Sequence, residues 1–218
     1  MRFEILIPSC KKYEDVKAQI DEIDRNTPEQ HRIIATCQEL SAAQNRNIAH
    51  KLAESEICVS MDDDITGFYP GWLSDLVRPL LEDTTLCKSE EVMLVTARYL
   101  RPDRTLAHQM HCSNKTADQP YLEITRLPTA CFAYRKSQVD GIIKGVNKPF
   151  DENFLGSGFE DDSFCIEMQK KYPDLKFVLN NTCKLIHINE MKNQKGANWE
   201  SNKKYIISKY PKHPVVWH

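Results

Sequence analysis

Short apolar runs alternate with stretches of helical period along the first half of the chain. The apolar runs lie at Phe3 to Pro8, Arg32 to Thr36, Ile57 to Met61 and Val92 to Tyr99. Between the first two runs, apolar residues recur every three or four positions, at Tyr13, Val16, Ile20 and Ile23. This rhythm is typical of strands joined by helices that pack on the faces of a mainly parallel sheet. We therefore predict an α/β fold.

Two more helices are predicted in this half. Ser41 can cap a helix, whose buried side would consist of Ile48, Ala49, Leu52 and Ala53. Pro70 and Gly71 interrupt the chain before an amphipathic helix that begins at Trp72. The first half would thus consist of four strands separated by helices.

The second half is less regular. Strands are predicted at Tyr121 to Arg126, Ala130 to Arg135, Phe177 to Leu179 and Lys184 to Ile188, and helices near Asp161 and near Trp199. The polar segment from Leu100 to Pro120 carries His108, His111 and Asn114. Its lack of periodicity fits either a long functional loop or a short hairpin.

Charge and cysteine content exclude several classes of function. The net charge is -2, and the 28% of charged residues are spread along the chain, so nothing indicates binding to nucleic acid or to a membrane surface. Met1 to Pro8 is too short to span a membrane and lacks the features of a secretory signal. The eight cysteines include no Cys-x-x-Cys pair, which argues against a zinc site and favours a reducing, cytoplasmic compartment.

Three adjacent carboxylates follow the third predicted strand. Asp62, Asp63 and Asp64 come directly after Met61, at the sheet edge where open α/β sheets bind ligands. Like charges this close raise one another's pKa unless a cation lies between them. Carboxylate oxygens are the ligands that magnesium and manganese prefer. The alternative is a solvated acidic turn or a cluster that caps the next helix.

A second acidic cluster lies in the other half. Gly156 and Gly158 allow a tight turn before Glu160, Asp161 and Asp162. A helix start favours ionised carboxylates, and such a group can take a proton from a hydroxyl in a pocket. Taken alone, these three residues fit an acidic helix N-terminus better than a catalytic group.

His187 ends the predicted strand from Lys184 to Ile188. A single histidine at the end of an apolar strand is more often structural than a ligand. Its candidacy as a metal ligand therefore depends on the other motifs.

Together these motifs resemble those of GT-A glycosyltransferases, in particular family 2. Asp62 to Asp64 is similar to the Asp-x-Asp motif of that family, and Ser41 to Asn47 to its Ala-Arg-Asn-x-Gly helix start. Phe150 to Glu152, followed by Glu160 and Asp161, resembles its acceptor motif. His187 matches a histidine that some members use as a further metal ligand, and Trp199 to Tyr210 resembles their C-terminal stretch.

The resemblance implies an inverting transferase that moves a sugar from a nucleotide-diphosphate sugar, with a UDP-sugar favoured, to a hydroxyl of a glycan or glycoprotein. It implies a Mn²⁺ or Mg²⁺ ion that neutralises the leaving diphosphate, and a carboxylate that deprotonates the acceptor. It also implies a single domain over residues 1–218, with a nucleotide-sugar half at 1–99. The acceptor half, 100–218, would carry a smaller mixed sheet and the C-terminal helix.

The resemblance also assigns roles to individual residues. Asp64, Asp62 and His187 would bind the metal, and Asp62 could instead contact the ribose. Asp161 would be the general base, and Glu160 would orient the acceptor. The nucleotide would be held by Pro8, Ser9, Cys10, Arg46, Asp62 and Asp63.

Two departures from the family pattern affect the nucleotide site. Gln44 stands where the family usually has arginine, and Asn47 stands where it has glycine. No aspartate follows the second strand in Thr36 to Gln38, where many members contact uracil. In size the chain resembles compact transferases of bacterial polysaccharide loci and of large DNA viruses, which would place it in a host cytoplasm if it is viral.

Three other functions are weighed against this one. A sugar nucleotidyltransferase needs a glycine-rich loop after the first strand, which Pro8 to Lys12 does not provide. A non-catalytic module could keep the fold and bind a nucleotide sugar or glycan without turnover. A metal-dependent phosphohydrolase would need further carboxylates or histidines at other strand ends, where only His187 is found.

Overall fold

The structure is a computed structural model that describes residues 1–107, 118–142, 148–188 and 198–213. His108, His111 and Asn114 lie outside the described residues. No helix within the described ranges is long and apolar enough to cross a bilayer.

Within the described ranges, eight strands form one mixed sheet with helices on both faces. The strands are Phe3–Ser9 (β1), His31–Cys37 (β2), Ile57–Met61 (β3), Ile65–Thr66 (β4), Val92–Leu100 (β5), Tyr121–Ile124 (β6), Cys131–Arg135 (β7) and Lys176–His187 (β8). The helices are Tyr13–Asn26 (α1), Ala42–Leu52 (α2), Trp72–Leu81 (α3), Lys136–Val139 (α4), Glu160–Lys171 (α5) and Trp199–Lys209 (α6), with one 3₁₀ turn at Ser89–Glu91. The predicted α/β class is confirmed.

The strand order is β2-β1-β3-β7-β5-β8-β4, and β6 also pairs with β8. β1 is parallel to β2 and β3, and β5 is parallel to β8. β7 runs antiparallel between β3 and β5, so β1, β3, β5 and β8 all point the same way. The carboxyl ends of these four strands therefore meet at one edge of the sheet.

The core has two main layers, one on each face of the sheet. On one face α1 and α3 bury side chains such as Val16, Ile23 and Trp72 against β1, β3 and β5. On the other face α2 and α5 bury Ala43, Ala49, Phe164, Cys165 and Met168. A smaller cluster joins α5 to α6 through Phe159, Ile166, Ile206 and Tyr210.

The predicted N-terminal cap of α2 is confirmed. Ser41 Oγ accepts a hydrogen bond from the backbone N–H of Gln44 at 3.2 Å, and the Gln44 side chain accepts one from the Ser41 N–H at 3.0 Å. This reciprocal arrangement satisfies two backbone donors that would otherwise lack partners. Gln44, which departs from the family pattern, thus completes the cap.

The predicted buried side of α2 is wrong in part. Ala49 and Ala53 are buried, but Leu52 is 53% exposed and Ile48 is only half-buried. The buried side instead carries four polar residues, Asn45, Arg46, Asn47 and His50. Burial of polar groups is tolerated here because each side chain is hydrogen-bonded.

Two predictions for the second half also need correction. Phe177 to Leu179 and Lys184 to Ile188 are not separate strands, because β8 runs unbroken from Lys176 to His187. Its register against β5 shifts where Ala97 pairs with Asn180 and Arg98 with Lys184, so a bulge absorbs the polar residues between. The described strands of this half also join the central sheet, so among them there is no smaller mixed sheet of the kind predicted.

Candidate active site

Three predicted metal ligands meet at the carboxyl edge of the sheet. Ligand atoms of Asp62, Asp64 and His187 all lie within 4.8 Å of one another. β4 holds them together, since Ile65 pairs with His187 and the backbone N–H of Ile188 donates to Asp64 O at 3.1 Å. His187 Nε2 lies 3.3 Å from Asp64 Oδ1.

The three groups suit a hard or borderline divalent cation. Two carboxylates and one imidazole supply oxygen and nitrogen ligands of the kind that Mn²⁺ accepts. Each side chain is partly exposed, at 34% for Asp62, 15% for Asp64 and 18% for His187, so a ligand could reach the cation from solvent. The edge of the Tyr99 ring, 5.7 Å from the His187 ring between centroids, supports the imidazole from the side.

Asp62 has a perturbed acidity. Its pKa is raised to about 6, mainly by burial and also by the nearby charge of Asp64, although Arg46 opposes both effects. A carboxylate held among other carboxylates in this way favours a bound cation, which would replace the proton.

Asp63 points away from the other two aspartates, toward the end of β1. It accepts a short hydrogen bond from the Ser9 hydroxyl and forms an ion pair with Lys11 at 2.6 Å. Ser9 is buried and Cys10 is exposed. The structure therefore places the end of β1 and Cys10 next to the acidic triplet. That these residues hold a nucleotide stays a prediction. Lys11 is a cation at this site that sequence reasoning missed.

Arg46 connects the two acidic clusters. Its guanidinium donates to Asp62 Oδ1 at 2.8 Å and to Glu160 Oε1 at 2.7 Å, and only 5% of its side chain is exposed. Burial alone would lower the pKa of Arg46, but the charges of Asp62 and Glu160 outweigh it and hold the pKa above its ordinary value. Arg46 thus stays charged and lies beneath the site. Its predicted contact with the nucleotide stays a prediction.

Glu160 and Asp161 begin α5 in contrasting environments. Glu160 is buried and accepts hydrogen bonds from Arg46 and from the backbone N–H of Gly158 at 2.6 Å. Its pKa is raised, mainly by burial, although Arg46 counteracts this. Asp161 is half-buried, and its side chain accepts from Thr129 Oγ at 3.4 Å. Of the two predicted catalytic carboxylates, Asp161 is thus the more accessible.

The chain enters α5 through an unusual backbone conformation. Phe159, a residue with a side chain, adopts a left-handed φ of 70°, and Gly158 before it has φ 106°. The Phe159 ring packs on Trp199, with ring centroids 4.3 Å apart, which helps to hold this turn. Non-glycine residues in this region are uncommon, and strained backbone of this kind concentrates at functional sites.

Asp162, the third acidic residue, serves a different purpose. It is buried and forms a close ion pair with Arg126. Burial and the charge of Asp161 raise its pKa to about 7, and Arg126 works against that shift. Asp162 thus faces the protein interior, and Arg126 is its counterion.

Asn47 has a role that sequence reasoning missed. Its side-chain amide donates to Phe150 O at 2.8 Å and to Glu152 Oε1 at 2.9 Å, and its carbonyl accepts from the Phe150 N–H at 2.9 Å. These bonds tie α2 to the segment that precedes the second acidic cluster. A glycine, the usual residue of the family at this position, could not form them.

A cleft of about 440 Å³ lies beside the start of α2. Its walls come from the loop before α2 and the start of that helix, from the segment before α5, and from the start of α6. They include Glu39, Gln44, Glu152, Leu155 and Asn198. The lining mixes carboxylates and amides with exposed apolar groups, a composition that can bind a polar organic molecule. This cleft had no signal in the sequence, because the three segments that line it lie far apart along the chain.

Several solved structures share this fold. Over 95% of its length the chain matches a crystal structure of GalNAc-T7 with UDP, GalNAc and Mn²⁺, with a TM-score of 0.65 and 8% identity. It matches S. aureus TarS 1-349 in complex with UDP-GlcNAc over 99% of its length, with a TM-score of 0.56 and 12% identity. It matches glucosyl-3-phosphoglycerate synthase from Mycobacterium tuberculosis, in complex with Mn²⁺, UDP and glucosyl-3-phosphoglycerate, over 95% of its length, with a TM-score of 0.58 and 12% identity.

The chain corresponds to 47% of the GalNAc-T7 chain, 68% of the TarS chain and 79% of the synthase chain. No protein-family profile and no curated protein sequence matches it. The structural matches confirm the predicted GT-A fold over nearly the whole chain. At identities this low, fold and function are separate questions.

Proposed function

We propose that this protein is a metal-dependent inverting glycosyltransferase. It would move a sugar from a nucleotide-diphosphate sugar, with UDP favoured as the nucleotide, to a hydroxyl of a glycan or glycoprotein. The observation that carries the proposal is the convergence of Asp62, Asp64 and His187 within 4.8 Å at the carboxyl edge of the sheet. In support, structures of the same fold were obtained with Mn²⁺ and UDP or with a UDP-sugar.

Asp62, Asp64 and His187 would hold a Mn²⁺ or Mg²⁺ ion. When bound, such an ion neutralises the charge that develops on the leaving diphosphate. Arg46 would keep Asp62 in place through its 2.8 Å hydrogen bond, since its guanidinium is itself fixed by Glu160. One of the three metal ligands, Asp62, is thus held in place by a buried ion pair.

Asp161 would accept the proton of the acceptor hydroxyl. Two features favour it over its neighbours in the first turn of α5: it is partly exposed, and it has no cationic partner among the ion pairs of the described residues. Glu160 is held by Arg46 and Asp162 by Arg126, so both are engaged elsewhere. The deprotonated oxygen would attack the anomeric carbon in one displacement, which inverts its configuration.

The nucleotide would lie against the end of β1. Pro8, Ser9 and Cys10 would border the base, and Ser9 connects this end of β1 to the acidic triplet through Asp63. Lys11, with 43% of its side chain exposed, adds a cation that could contact a phosphate. Both elements lie at the edge that carries the metal ligands.

We also propose that the protein works in a reducing compartment such as a cytoplasm. All seven cysteines within the described ranges are free, and five of them are buried. Buried thiols of this kind act as small apolar groups, and disulfides would not be needed for stability.

The direct test is a thermal-shift titration with nucleoside diphosphates and their sugars, with and without manganese. A ligand that binds only the folded state raises the melting temperature according to its occupancy. We expect stabilisation by UDP that requires the metal. A melting temperature that no nucleotide changes in the presence of manganese would refute the proposal.

A second measurement separates an enzyme from a non-catalytic module that binds the same donor. The purified protein is incubated with a UDP-sugar and manganese, and release of UDP is followed over time. Slow hydrolysis of the donor is expected of a transferase. Binding without any release of UDP would favour the binding module.

A further inference from the structure

Arg98 is a buried cation that the proposed mechanism does not use. It lies in β5, is 1% exposed, and is among the largest fully buried side chains of the protein. None of its three guanidinium nitrogens has a hydrogen-bond partner among the described residues. Burying an unpaired charge is expensive, and buried charges in proteins are normally paired.

The strand register places Arg98 near the candidate metal ligands. Ser60 of β3 and Thr96 of β5 both pair with Phe132 of β7, so they lie level across the sheet. Arg98 comes two residues after Thr96 in β5, and Asp62 comes two residues after Ser60, just past the end of β3, so both lie toward the carboxyl edge of the sheet. Their strands are two spacings apart, or about 10 Å.

A second cation lies directly beside Arg98. In the parallel pairing of β5 with β8, Arg98 is opposite Lys184. Lys184 is exposed and has no ion pair among the described residues. Like charges on directly opposite residues of a sheet destabilise it, so the protein carries a cost here that a bound anion would remove.

We propose that Arg98 and Lys184 form a site for a phosphate group. A guanidinium binds phosphate through two parallel hydrogen bonds, and an ammonium adds a point charge from the side that faces solvent. Two sources share this chemistry, the diphosphate of the donor and a phosphate carried by the acceptor. The identity of these two sources rests on the proposed function. The phosphate site itself does not.

The test uses inorganic phosphate with the whole protein and three variants. Arg98→Met removes the charge and keeps most of the volume, Lys184→Gln removes the exposed charge, and Lys51→Gln changes an exposed lysine on α2 as a control. Phosphate affinity is measured by calorimetry and by thermal shift, without metal or nucleotide. The wild type and Lys51→Gln should bind phosphate alike, Arg98→Met about tenfold or more weakly, and Lys184→Gln about three- to tenfold more weakly.

The melting temperature of Arg98→Met in phosphate-free buffer provides an independent readout. Because an unpaired buried charge is replaced by an apolar side chain, Arg98→Met should melt no lower than the wild type in phosphate-free buffer. A marked loss of stability would mean that the guanidinium already has a partner in the free protein, and it would overturn the proposal. Equal phosphate binding by all four proteins would overturn it too. Since Lys184 is exposed, Lys184→Gln tests the phosphate site without disturbing the core.

Saturating UDP and manganese then distinguish the two sources. If the phosphate response that depends on Arg98 persists, the site serves a phosphate on the acceptor. If it disappears, the diphosphate of the donor occupies the site. If phosphate binds through Arg98 but UDP does not bind with manganese, the proposed function is rejected and this inference stands. If UDP binds with manganese but phosphate does not bind through Arg98, only this inference is rejected.

Discussion

The guanidinium of Arg46 lies 2.7 Å from the carboxylate of Glu160, although 114 positions separate the two residues in the chain. The same guanidinium donates to Asp62 at 2.8 Å. A single buried cation therefore joins the end of β3 to the start of α5. Because Asp62 is a candidate metal ligand and Glu160 precedes the proposed base, the two parts of the site are positioned relative to each other by Arg46.

Replacing Arg46 with methionine should strongly destabilise the protein. Glu160, with 6% of its side chain exposed, would lose its counterion, and removing one partner of a buried ion pair costs about 3–5 kcal/mol. Urea denaturation at neutral pH measures this loss. Arg25→Met, at an exposed position of α1, should change the free energy of unfolding by about 0.5 kcal/mol or less.

The double variant Arg46→Met with Glu160→Gln checks the cause. If the cost comes from the uncompensated carboxylate, the double variant should be more stable than Arg46→Met alone, since a neutral amide replaces the buried charge. Strictly additive losses would show that the two side chains act independently.

Asp64→Ala should abolish manganese-dependent binding of UDP and leave the fold intact. The substitution removes one ligand of the candidate metal site, and it relieves repulsion with Asp62 without opening a core cavity. Calorimetric titration with UDP and manganese tests binding, and the melting temperature tests the fold. Asp174→Ala, at an exposed turn, is the matched control and should bind as the wild type does.

Asp161→Asn should keep the affinity for the donor and reduce transfer by about 10² to 10⁴, the usual contribution of a general base. Asparagine keeps the size of the side chain, so its contact with Thr129 can persist. Initial rates with a UDP-sugar and an acceptor, together with the donor dissociation constant, give the two quantities. Undiminished transfer would move the role to Glu160 or Asp162.

The stability contributed by Asp151 should depend on pH. Burial would raise its pKa, but hydrogen bonds from Lys209 at 2.6 Å, from Asn153 and from Tyr205 at 2.8 Å prevail and lower it. A carboxyl group with a lowered pKa in the folded state stabilises above its ordinary pKa of about 3.9 and loses this effect as pH falls through the folded value. Asp151→Asn should thus lose about 1.5–3 kcal/mol at pH 7.

The pH series provides the check on that prediction. Free energies of unfolding for the wild type and for Asp151→Asn should begin to converge as the pH falls below about 3.9, the ordinary pKa of an aspartate, and should meet once the carboxyl group is protonated in the folded state as well. A difference that stays constant from pH 7 to pH 3 would mean that the charge of Asp151 is not responsible.

The strands and the acidic site were accessible to sequence reasoning because both depend on local pattern. Ile57 to Met61 is an apolar run that ends at three aspartates, and the structure places the strand at those bounds. His187 lies far from the triplet in the chain, and its place in the site came from a family motif, since no local signal connects it to Asp64. The short strand β4, which pairs these two regions, was not predicted.

The buried polar face of α2 could not be found in this way. Periodicity assumes that apolar residues face the core, whereas Arg46, Asn47 and His50 are buried here because their partners come from distant segments. Arg98 did leave a signal, as a charged residue in the apolar strand from Val92 to Leu100. Its lack of a partner among the described residues becomes visible only in three dimensions.

The origin of His187 at the end of β8 also affects how the site can be assembled. β8 pairs with β4, β5 and β6, so the imidazole reaches the aspartates only after strands from both halves have joined the sheet. A fragment that ends before Lys176 would keep both carboxylates and lack the third ligand. The rate at which the refolding protein acquires manganese would therefore report when β8 pairs with the strands that precede it in the chain.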